Sequence, residues 1–116
     1  MVGSRSTWDL LVRLDAPDWD RRLRLPERFA LETLREMPCG SKLHHPGGRR
    51  HWYVAAEGPA KGVLVLALGW RSFVEENDLC RGYSLRLCYR GGGDFSVGVW
   101  DSSGLRVAIP SFLLDR

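Results

Sequence analysis

Apolar residues alternate with polar ones in short runs, and glycine, proline or clustered acids cut every run off. Trp8, Leu10, Val12 and Leu14 share one side of residues 8–14, and residues 22–25, 51–56, 85–89 and 95–100 repeat the same period. Period two predicts half-buried strands too short to be anything but parts of a curled or stacked sheet. Residues 63–68 are apolar throughout, which predicts a central or covered strand. Residues 41–44 and 105–109 are two further short candidates, and Pro46-Gly-Gly48 and Gly91-Gly-Gly93 read as turns.

Two segments keep helical spacing instead. Phe29, Ala30, Thr33, Leu34 and Met37 follow Pro26, a residue suited to the first helical position, and Pro38 and Gly40 end the run. The stretch 69–82, Gly-Trp-Arg-Ser-Phe-Val-Glu-Glu-Asn-Asp-Leu-Cys-Arg-Gly, sets Trp70, Phe73 and Val74 at i, i+3 and i+4. Ser72 and Glu75 have capping-box spacing, Asn77 and Asp78 are poor interior residues, and Gly82 offers a turn. This second helix reads as a plug between strands. About seven short strands with two helices favour a barrel or sandwich, since two helices are too few for a βαβ sheet.

The chain of 116 residues suits one domain: a lead-in at 1–7, a globular unit at 8–110 and a tail at 111–116. The net charge of +3 permits a polyanionic partner without demanding one. Three cysteines without C-x-x-C spacing argue against a disulfide framework or a zinc site and for free thiols. No apolar run is long enough to span a membrane. No nucleophile–base spacing, zinc-protease motif or phosphate loop occurs, so the expectation is a protein without catalysis, metal, cofactor or small-molecule substrate. His44, His45 and His51 cluster in sequence, yet a polar strand edge explains them without a metal.

The cations are more informative. Arg21, Arg22 and Arg24 flank the second strand, Lys42, Arg49, Arg50 and His51 precede the fourth, and Lys61 follows it. If the sheet curls, they share a surface that neutralises phosphates; otherwise they are solvated strand-edge charge. Trp19, beside Asp18 in the loop after the first strand, either tucks onto the barrel or stands out as a contact residue.

Leu23-Arg-Leu-Pro-Glu-Arg-Phe29, Gly48-Arg-Arg-His-Trp-Tyr-Val54, Gly69-Trp-Arg-Ser-Phe-Val74 and Phe95-Ser-Val-Gly-Val-Trp100, in that order, resemble the plant-specific B3 DNA-binding domain, most nearly its reproductive-meristem branch. The resemblance runs from about residue 8 to residue 109. It implies a mainly β, seven-stranded open pseudobarrel with two short α-helices. It also implies a nuclear transcription factor that reads the major groove of double-stranded DNA with two loops. Carried onto this chain, the first arm is 15–22, served by Arg21, Arg22 and Arg24, and the second is 55–62, served by Lys61 with His51 and Tyr53 beside it. Lys42, Arg49 and Arg50 become phosphate contacts. Asp15, Asp18 and Asp20 make the first arm unusually acidic for such a role. The alternative is a protein-interaction module on the same fold, meeting other transcription regulators through Asp18 and Trp19.

Overall fold

The computed structural model describes residues 8–25, 40–46, 48–57 and 64–107. A five-stranded sheet runs in the order β1 (Trp8–Arg13), β7 (Ser84–Tyr89), β8 (Asp94–Trp100), β3 (Ser41–His44) and β4 (Trp52–Val54). A three-stranded sheet runs β2 (Leu23–Leu25), β6 (Leu64–Leu66), β5 (Ala56–Glu57). Every pairing is antiparallel except β3 with β8. The fold is mainly β, as the short runs predict, and is the open pseudobarrel that the family resemblance implies. As the doubly apolar run 63–68 predicts, β6 is the central strand of the smaller sheet.

Residues 51–56, read as one strand, are two. Trp52–Val54 pairs with β3 and Ala56–Glu57 pairs with β6. Between them the Ala55 amide donates to the Leu68 carbonyl at 2.8 Å, and the Ala67 amide donates to the Ala55 carbonyl at 2.9 Å. The chain thus passes from one sheet to the other without breaking its hydrogen bonds, and the two sheets wrap one core.

The helix, α1 (Trp70–Glu76), sits at that crossover and buries Trp70, Phe73 and Val74. Phe73 is fully buried, stacked on Trp70 at 5.5 Å and edge-on to Trp52 at 5.1 Å. The capping-box expectation is corrected here. Gly69 is the N-cap, in the left-handed region at φ 98°, and no side chain caps the helix. Ser72 lies within the first turn, and Glu75 instead accepts from Arg71 at 3.0 Å. The left-handed conformation brings the Gly69 backbone against Tyr53, where any Cβ would collide with the Tyr53 carbonyl oxygen. A backbone contact made 16 residues away in sequence leaves no local signature that a capping rule detects.

Two other expectations are modified. Beyond residue 104 the described chain shows a single bridge, Arg106 to Trp100, and a Val107 amide bond to the Val99 carbonyl, rather than a full strand. The helix expected at 26–37, the loop carrying Lys61, and Cys39 lie outside the described residues.

Phe73→Ala is expected to cost roughly 3–5 kcal/mol, read by chemical denaturation, because it empties the centre of the plug. Gly69→Ala is expected to destabilise by more than about 1 kcal/mol, since strain and collision add, and to lower the melting temperature measurably.

Candidate nucleic-acid interface

The first loop that the sequence singles out leads into the small sheet at β2, and the second links β5 to β6 through residues 58–63, which lie outside the described residues. Leu23, where the first loop ends, pairs with Leu66, while Leu64, where the second ends, pairs with Leu25. These rungs are roughly 7 Å apart at ordinary strand rise. The outward row of this short ladder is Glu57, Val65 and Arg24.

The first loop is held down rather than projecting freely. Its middle is a turn in which the Arg21 and Arg22 amides both donate to the Asp18 carbonyl, at 3.0 and 3.2 Å. The Trp19 carbonyl accepts from the Trp70 indole at 2.7 Å, and the Trp19 ring, half-buried, packs against the core. Arg81 donates to the Asp15 carbonyl at 3.2 Å, and Arg71 lies 3.8 Å from Asp20. Arg71 and Arg81 have no standing in a reading of the loop itself, because they arrive from more than 50 residues downstream.

Charge pairing is dense. Arg24 donates both terminal nitrogens to Asp18 at 2.9 Å, and Arg22 approaches the same carboxylate at 3.4 Å. The Arg24 hydrogen bond holds the Asp18 carboxyl below the usual carboxylate range, and Asp18 raises Arg24 in return. Arg50 is bound to Glu76 and lies 5.1 Å over the Trp52 ring. Glu76 also accepts from the Trp52 indole at 3.3 Å. Arg21 and Arg49 are exposed, and neither forms an ion pair among the described residues.

Lys42 and Tyr53 come together as direct cross-strand partners on β3 and β4. They line an open groove with Leu68, Gly69, Gly92 and Gly93, in which Tyr53 is 71% exposed. His51 lies beside them in sequence and meets the His44 ring at 5.3 Å, and His44 pairs with Asp94 at 3.0 Å. The candidates thus form two groups, one around Asp18 and one along β3 and β4, and the third histidine belongs to neither. No group of metal-ligating side chains is found among the described residues.

No family model matches the chain. Two curated B3 domain-containing proteins of Oryza sativa subsp. japonica are 30% and 31% identical to it, over 85% and 83% of its length. The chain is a B3 domain. It spans about a quarter of the length of these relatives, 26% and 25%. The solved structure of a hypothetical Arabidopsis thaliana protein has the same fold, with a TM-score of 0.68 over 86% of this chain and 96% of that one, at 22% identity. The B3 family is one of DNA-binding domains, not an enzyme class.

The remaining histidine of the B3 domain, His45, is structural. It is buried between Trp52, edge-on at 5.6 Å, and Phe73 at 6.2 Å, and its Nε2 meets Asn77 Oδ1 at 2.5 Å. Asn77 in turn donates to the Phe73 carbonyl at 2.9 Å, closing the C-terminus of α1. Burial lowers the His45 pKa, opposed by the hydrogen bond to Asn77. A depressed folded pKa means that the unfolded chain takes up the proton first as pH falls below about 6.5. Stability from this site is therefore complete above that pH and declines below it. The melting temperature is expected to drop between neutral pH and the mid-fives, and His45→Gln is expected to flatten that slope in a pH series of thermal melts.

Proposed function

We propose that this domain binds double-stranded DNA as part of a plant nuclear transcription factor. Membership of the B3 family supports the reading, and so does the observation that carries it: the first loop, with Arg21 exposed, leads into a short ladder whose outer row includes Arg24, and the β3–β4 pair sets Lys42 opposite Tyr53. In this reading the phosphate backbone is first captured electrostatically, and the loops then enter the major groove.

The roles follow from where each side chain is free to reach. Arg21 is the exposed cation of the first loop and is assigned to base edges, where a guanidinium meets guanine with two donors. Arg22 and Arg24 reach the groove only by leaving Asp18. Lys42, Arg49 and Arg50 are assigned to phosphates, Tyr53 and His51 to the flank of the second loop, and Lys61, outside the described residues, keeps the second-arm role that the family resemblance gives it. Because ion pairs already occupy Arg22, Arg24 and Arg50, few phosphates are neutralised on binding, and the salt dependence is shallow.

Fluorescence anisotropy across a salt series on mixed duplexes tests this. A linear fall of log affinity with log salt is expected, and Lys42→Ala is expected to reduce the slope by about 1. Asp18→Asn is expected to tighten binding, because it removes a carboxylate that both repels phosphate and holds Arg22 and Arg24. Affinity no greater than that of a neutral control protein at low salt would refute the reading.

A further inference from the structure

The strongest feature that DNA binding leaves unused is the open edge of the five-stranded sheet. β1 is its first strand, and among the described residues no strand pairs with β1 on the side away from β7. The ladder fixes what that edge presents. Leu14 continues the β1–β7 register, and its amide donates to the Tyr83 carbonyl at 2.8 Å. Alternation then turns the main-chain groups of Leu10 and Val12 toward β7 and those of Asp9, Leu11 and Arg13 toward the open edge.

The side chains of Asp9, Leu11 and Arg13 all lie on the outer face and are exposed, Leu11 by 67%. On the inner face Leu10 and Val12 are only half-buried, although Leu85, Leu87, Phe95 and Val97, facing the same core from β7 and β8, are fully buried. An edge strand with an exposed leucine between Asp9 and Arg13 is what natural sheets avoid unless something pairs with it.

We propose that β1 pairs antiparallel with β1 of a second copy of this chain, about a two-fold axis at Leu11. Asp9-Leu-Leu-Val-Arg13 is self-complementary when read against itself in reverse. In this register Asp9 faces Arg13 of the partner subunit, Arg13 faces Asp9 of the partner subunit, and the two Leu11 side chains meet. Leu10 lies opposite Val12 of the partner subunit and gains cover on the inner face. A slip of one residue sets outer side chains against inner ones, and a slip of two sets Asp9 or Arg13 against Leu11.

The charges available agree with this register. Asp9 already accepts from Arg86 at 2.8 Å, and that contact holds its carboxyl below the usual range. Arg13 forms no ion pair among the described residues. The Arg13 carbonyl also accepts from the Asp15 amide at 3.1 Å and keeps a second lone pair for the partner. The contact is small, so association depends on protomer concentration.

Sedimentation velocity on the full chain, over about two decades of concentration, is the test. The wild type is expected to move from 13.2 kDa toward twice that mass as concentration rises. Arg13→Asp alone and Asp9→Arg alone are each expected to remain monomeric, while their equimolar mixture associates, because both facing pairs are again opposite in sign. Leu11→Asp, an exposed change expected to leave the thermal melt intact, is expected to abolish association as well. A wild type that stays monomeric throughout, a dimer that survives Leu11→Asp, or a mixture of the two charge variants that fails to associate would each overturn the proposal.

Discussion

The burial of Trp70, Phe73 and Val74 from one short helix is the contact on which the rest of the molecule depends. The helix sits where the chain passes directly from the larger sheet to the smaller, at β4–β5, and fills the space between them. A seven-residue helix is marginal alone, so its stability is that of the apolar face it inserts. Phe73 touches Trp70 and Trp52, and Trp52 belongs to the larger sheet. His45 and Asn77 extend the same cluster and tie the helix end to the strand that leads into β4. Through the Trp70 indole the helix also holds the first loop at Trp19. Core and candidate DNA surface are thus fastened to one element.

The surface is defined more by pairing than by net charge. The chain carries +3 overall, yet Arg22, Arg24, Arg50, Arg71 and Arg86 each face a carboxylate. Exposed pairs of this kind add little stability, so their main consequence is to limit which cations are available to an anionic partner. Asp18 is the sharpest case, because one carboxylate engages both Arg22 of the loop that approaches DNA in the proposed reading and Arg24 of β2. Of the acidic residues that make this loop unusual in sequence, Asp18 is in the fold the counterion of Arg22 and Arg24 and Asp20 that of Arg71, while Asp15 meets Arg81 through its main-chain carbonyl.

Much of the architecture was legible because it follows from local rules. Alternation located β1, β2, β7 and β8, unbroken apolarity marked β6 as central, and i, i+3, i+4 spacing named the three side chains that α1 buries. What escaped was decided by contacts between distant segments. Gly69 caps the helix because Tyr53 presses against it, so the capping-box spacing of Ser72 and Glu75 had no role. Residues 51–56 alternate without interruption, and only their choice of partners, β3 or β6, divides them. Arg71, Arg81 and Glu76 surround the candidate surface from a segment whose own sequence points to a plug.

Period, turn chemistry and the order of motifs therefore determined the class of fold and the B3 family, since these depend on residues near one another in the chain. The pairing of Arg24 with Asp18, the hold on Trp19 and the place of β1 as the first strand of its sheet among the described residues were decided only in three dimensions. Each depends on which segments meet once the core is buried, and charge attraction over a few ångströms is indifferent to separation along the chain.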